Sequence, residues 1–289
     1  MLADAFAAER LRFFKARGTL FWSLCFVPII SVLMGLLQGF TLRMVNIKAS
    51  AQGARDLDLI RTPVAFLEQA VDAVSGSNFF IMQLFFLIAG SAILAGDYRW
   101  ETWRFLTPRN TRTNLLLAKL ATFGLATVIG LVLLAIGGML AGLVSAGLTG
   151  GPVTWAKPEG YTLTQFAGIF VIAWLEMMAL GALAAVIAVA TRAGLAALLV
   201  PVGVWIFQGF FVSLVSKGFE SQLRPPLQYM ASLPVLDADL LKAALTPAAE
   251  LGTAGPVNWP AALAALLAWI VGLTALAVWL FKRQDLTRE

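Results

Sequence analysis

Six apolar runs, each near or above the length needed to cross a bilayer, constrain this chain more than any other feature. About 20 residues of helix, rising 1.5 Å each, cover some 30 Å of hydrocarbon. The runs are read at Leu20–Phe40, Phe79–Ala95, Leu115–Leu148, Phe166–Ala190, Leu195–Ser216 and Pro260–Phe281. Hydrocarbon offers no partner to a backbone N–H or C=O, so each run must pair its own groups as a helix. The second run is short and draws on Val74–Asn78 or thins the bilayer. The third exceeds one crossing, so one of its ends projects or the helix tilts. The expected fold class is an all-α polytopic membrane protein with six transmembrane helices, forming a single transmembrane domain over 1–289. Of the 289 residues, 60% are hydrophobic and 13% charged, and the six spans with their loops leave no room for a separate globular unit.

Charge sets the orientation. Arg10, Arg12, Lys15 and Arg17 precede the first run; Arg99, Arg104, Arg109, Arg112 and Lys119 follow the second; Arg192 follows the fourth; and Lys282, Arg283 and Arg288 follow the sixth. These thirteen cations fall on one side, against eight on the other, where nine anions accompany them. The positive-inside rule then predicts both termini in the cytoplasm. The first run is longer than the apolar core of a signal peptide and follows a mixed-charge helix, so it is read as a retained span.

Residues 2–17, LADAFAAERLRFFKAR, set Leu2, Phe6, Phe13 and Phe14 against Glu9, Arg10, Lys15 and Arg17. That pattern predicts an amphipathic interfacial helix within 1–19, its cations near anionic headgroups. Two extracytoplasmic segments, 41–78 and 217–259, carry helix-like stretches at Val64–Val74 and Asp237–Leu251. Asp237 is expected as the N-cap of the latter, after a chain broken by Pro225, Pro226 and Pro234. Gly35-x-x-x-Gly39 and Gly138-x-x-x-Gly142 predict close helix approach.

Several chemistries are excluded. The chain has no histidine, and its one cysteine, Cys25, lies in an apolar run. The commonest general base and metal ligand is therefore missing, and no thiolate cage is possible. No G-x-x-x-x-G-K-[ST] phosphate loop occurs, and no Ser/Lys or Asp/Asp pair stands at intramembrane helical spacing. No enzyme activity and no directly bound cofactor are expected.

Glu176 falls near the middle of the fourth run. A charge at bilayer centre costs about 2.5–3.5 kcal/mol on insertion scales, so it must face protein or water. It either contacts substrate or a proton, with Gln83 and Gln208 as companions along a pathway, or it ties helices together through Gln83, Gln208 or Ser91. An autonomous channel or proton-coupled transporter built on Glu176 is the alternative to the function reached below.

Between the second and third runs lies GDYRWETWRFLTPRNTRTNLLLAK, from Gly96 to Lys119. Trp100, Trp103 and Leu106 recur at helical spacing, and Pro108 ends that helix. Thr111 or Thr113 offers an N-cap for the third span. The ordered series Asp97, Thr102, Pro108, Arg112, Lys119 resembles the same loop of ABC-2-type permeases, the membrane subunits of a class of ATP-binding-cassette exporters. Glu101 stands where that family usually has glycine, and the gap from Thr102 to Pro108 is shorter than the family's. The layout of amphipathic helix, six spans and basic tail is similar as well.

The resemblance implies that 96–114 is a cytoplasmic coupling loop docking on a separate ATPase through Asp97, Trp100, Glu101, Thr102, Trp103, Arg104, Pro108, Arg112 and Lys119. It further implies two ATPase subunits that bind ATP and Mg2+ in the chain's stead, and a second permease copy completing a homodimer. Membrane lipids are the other expected partner, and no nucleic acid is. The setting implied is the plasma (inner) membrane of a prokaryote.

Overall fold

The computed structural model describes residues 2–51, 63–99, 102–103, 110–218, 233–247 and 258–284. Among them, six helices are long and apolar enough to cross a membrane: Arg17–Val45, Phe80–Tyr98, Arg112–Thr149, Leu163–Thr191, Gly194–Phe211 and Trp259–Arg283. Each overlaps one of the six apolar runs, and the chain is an all-α multi-pass membrane protein.

Helix α1, Leu2–Lys15, is followed by α2, Arg17–Leu20, a π-helical turn at Phe21–Cys25, and α3, Phe26–Ala51. The wide turn has a local cause. Pro28 has no N–H to give to the carbonyl of Leu24, and the ladder just before it shifts to i→i−5, with Phe26 N–H bonded to Phe21 O. Ser23 and Leu24 turn inward there.

On the far side from the termini, β1, Val64–Ala65, pairs in parallel with β2, Val153–Thr154. Helix α4, Phe66–Ser75, buries Leu67, Ala70, Val71 and Val74 against the bundle. Helix α5, Phe80–Arg99, returns toward the terminal side.

The spine is α6, Arg112–Thr149, which packs against α1, α3, α4 and α5. Its 38 residues make roughly 57 Å of helix, well beyond the bilayer core, as the length of the third run requires. Thr111 is its N-cap, the hydroxyl accepting from Asn114 N–H at 3.3 Å. The small-residue motifs work inside the chain. A methyl at Gly35 would lie 2.5 Å from Ala141 Cβ, and one at Gly138 would lie 2.5 Å from Gln69 O. These glycines let α3 and α4 press onto α6.

Helix α7, Leu163–Thr191, opens on a capping box between Thr162 and Gln165. It closes on Arg192 in the left-handed region (φ 57°), which turns the chain tightly into α8, Gly194–Gly218. Helices α9, Pro234–Leu245, and α10, Trp259–Arg283, complete the described chain.

Two expectations for α9 are corrected. Leu233, not Asp237, is the N-cap, and Pro234 occupies the first turn, where its missing N–H costs nothing. Pro234 therefore starts the helix instead of breaking the chain before it. The helix also stops at Leu245, where Pro247 follows closely, short of the expected Leu251, which lies outside the described residues.

Candidate functional site

The N-terminal helix, the α5–α6 connection and the end of α10 meet at one end of the bundle, called here the basic face. Five of the residues singled out from the sequence, Asp97, Thr102, Trp103, Arg112 and Lys119, converge there. Asp97, in the last turn of α5, accepts an ion pair from Lys119 Nζ at 2.7 Å. The Thr102 hydroxyl donates to Asp97 Oδ1, and Thr102 N–H donates to Asp97 O at 3.1 Å, folding the chain back on the helix end.

Two residues not singled out close the cluster. Lys119 Nζ also reaches Glu9 Oε2 at 3.2 Å and donates to Ile93 O at 2.7 Å. Arg12 Nη1 lies 3.1 Å from Glu9 Oε1 and 3.5 Å from Asp97 Oδ1. Lys119, Glu9 and Asp97 are all buried, with side chains 2%, 7% and 9% exposed. Two carboxylates facing two cations leave the cluster neutral, the condition under which buried charge is tolerated.

Trp103 turns inward. It is 3% exposed, its ring 4.6 Å from that of Phe281 and 5.5 Å from that of Tyr98, with Lys119 Nζ 5.2 Å above it. The sequence pattern presents Trp103 as an anchor offered to a partner. Here its hydrophobic ring gains more by packing on α10 than by facing water.

Arg112, in the first turn of α6, caps α10. Its Nη1 donates to the carbonyls of Phe281 at 2.9 Å, Lys282 at 3.2 Å and Gln284 at 2.6 Å. Helix C-termini leave such carbonyls without intrahelical partners and carry partial negative charge, so a guanidinium suits them. Tyr98 OH donates to Gln284 Oε1 at 2.9 Å, and Gln284 Nε2 donates to Val189 O at 2.9 Å. The α5–α6 connection is thus tied to α1 on one flank and to the ends of α7 and α10 on the other. Trp100, Glu101, Arg104 and Pro108 lie outside the described residues.

Glu176 is fully buried in α7, about 20 Å along the helix from Leu163. It is not alone. Lys242 Nζ, from α9, donates to Glu176 Oε2 at 2.6 Å. Helix α9 packs among α7, α8 and α10, with Leu245 against Gly168, so it lies within the bundle and not on the span ends. The expected companions do not meet this carboxylate. Among the described residues, neither amide atom of the fully buried Gln83 nor Gln208 Oε1 has a hydrogen-bond partner, and Ser91 donates to Ile88 O.

What was missed was faintly visible. Ala5, Glu9 and Phe13 stand at i, i+4, i+8, so Glu9 lies on a buried stripe of α1. Lys242 sits in DLLKAAL, one cation among apolar neighbours. Neither pattern names its partner, because Glu9 and Lys119 are 110 residues apart and Lys242 and Glu176 are 66.

No curated protein matches the chain. A family model described as ABC-2 family transporter protein matches residues 16–286, and the chain therefore belongs to that family of membrane-spanning ABC-transporter permeases.

Proposed function

We propose that the chain is the permease subunit of an ABC exporter, two copies enclosing the pathway and a separate ATPase docking at the basic face. The observation that carries this reading is the bracing of the α5–α6 connection. Asp97 and Lys119 join it to α1, and Arg112 joins it to the end of α10. A displacement applied to that connection is delivered into α6, the spine of the bundle, and into α10 together. In this reading ATP and Mg2+ are bound by the ATPase, and the permease performs no chemistry of its own. Both termini lie in the cytoplasm of a prokaryotic cell, consistent with the cation excess at the basic face.

The partner contact is tested by crosslinking. Cys25 is the one cysteine, so a Cys25→Ser chain carrying Thr113→Cys has a single thiol beside the connection. In membranes containing an ABC ATPase co-expressed with the chain, that thiol is expected to crosslink to the ATPase, and the crosslink to change in yield with nucleotide. If the ATPase neither crosslinks nor co-purifies, the reading fails. The alternative, a channel or proton-coupled transporter using Glu176, would have to work through the Glu176–Lys242 pair.

A further inference from the structure

A cavity of about 760 Å3 opens at the basic face between α1, α5, α6 and α8. Its lining changes character along α5. At one end stand Glu9, Arg12, Asp97 and Lys119; at the other, Ile88 and Ala92 face Leu198 of α8. Ile88 and Asp97 are separated by roughly 13 Å of helix. A volume of this size is that of a small-molecule pocket. One charged end and one apolar end make it a receptacle for an amphipath aligned with the spans.

The charges narrow the head group. Lys119 is 2% exposed, donates to Glu9 and the Ile93 carbonyl and is ion-paired with Asp97, so it is closed to a ligand. Arg12 differs: its side chain is 47% exposed, and its two ion pairs among the described residues run through Nη1. A guanidinium presents several donors in a planar fork suited to phosphate. The cluster is neutral with Arg12 counted, so a head bringing only negative charge leaves the site net negative, whereas a zwitterion leaves it neutral.

We propose that this cavity binds one zwitterionic phospholipid from the leaflet at the basic face, its phosphate on Arg12, its ammonium toward Glu9 and Asp97, and a chain along Ile88, Ala92 and Leu198. The site needs no ATPase and rests on the cavity alone, so it is tested on the isolated chain without nucleotide.

The experiment reconstitutes the full chain in nanodiscs of equal phosphatidylethanolamine and phosphatidylglycerol, extracts it gently, and counts retained lipid by native mass spectrometry. Phosphatidylethanolamine is expected to be retained over phosphatidylglycerol by about tenfold or more, the scale of one charge-assisted contact. Arg12→Gln, which leaves Glu9 and Asp97 on Lys119, is expected to lower retention of phosphatidylethanolamine, because the phosphate loses its guanidinium partner. Leu198→Trp fills the apolar end without touching a charge and is expected to lower retention of phosphatidylethanolamine as well. Equal retention of the two lipids, or parental retention in both variants, overturns the site. Displacement of the lipid by soluble O-phosphoethanolamine at equal concentration overturns it too, because it would show that the apolar half contributes nothing. Failure of that displacement supports it.

Discussion

At the scale of single residues, the pairing of Glu176 with Lys242 changes what a mutation there means. Removing one partner of a buried ion pair leaves the other charge uncompensated, at a cost of about 3–5 kcal/mol, whereas an apolar replacement of both is often neutral. Glu176→Gln alone and Lys242→Met alone are therefore expected to lower the thermal unfolding temperature sharply. Glu176→Met with Lys242→Met should recover much of it, as a scanning fluorimetry series in detergent would measure. Loss of flux in that double variant, with its unfolding temperature restored, would point to a pathway role, and loss only in the unfolded fraction to a structural one. Gly160 makes a second case. A Cβ there would overlap Glu68 Oε1, which accepts Lys157 N–H at 3.0 Å. Gly160→Ala is expected to displace that carboxylate and destabilise the far-side loop by about 1–3 kcal/mol, the cost of stranding a buried polar group. Thermal unfolding checks the size, and faster amide exchange at Lys157 checks the cause.

Among the elements, α1 shows how far a sequence pattern reaches. Its amphipathic character was legible, with Leu2 and Phe14 on an exposed apolar side. That Glu9 points into the bundle was not, since a glutamate on a short helix is ordinarily solvated. The ion pair with Lys119 makes α1 a docked element. Lys119→Met removes the cation shared by Glu9 and Asp97 and leaves two buried carboxylates with Arg12 alone. The expected result is release of α1, seen as limited proteolysis within residues 2–15 and a loss of stability of about 3–5 kcal/mol. The GxxxG motifs by themselves predict close helix approach without naming the partner. Placement of Gly35 against Ala141 puts that approach between α3 and α6 of the same chain. Gly35→Ala must push the two helices apart, at about 1–3 kcal/mol, with the oligomeric state unchanged by size-exclusion light scattering.

For the whole molecule, the basic face is where the motif series and the family assignment meet. Arg112 belongs to the series and holds three carbonyls at the end of α10. Arg112→Ala is expected to raise amide exchange over residues 277–284 and to reduce ATP-driven transport while leaving membrane insertion intact. Pulsed exchange and a vesicle transport assay read those two effects separately. Should transport persist at the parental rate with the end of α10 frayed, coupling through this brace is wrong.

The sequence by itself determined the six spans and the length of the third, and narrowed its N-cap to Thr111 or Thr113. Each follows from local rules: hydrocarbon thickness, backbone pairing within one segment, and a side chain reaching its own neighbours. It also carried the ordered series from Asp97 to Lys119 that marks the family. Only the tertiary structure decided that Trp103 faces inward, that α9 enters the bundle, that Lys242 answers Glu176, and that Glu9 and Arg12 join Asp97 and Lys119. Those pairings link segments far apart in the chain. A buried charge demands an opposite charge nearby, but which of the available cations supplies it depends on how the helices pack.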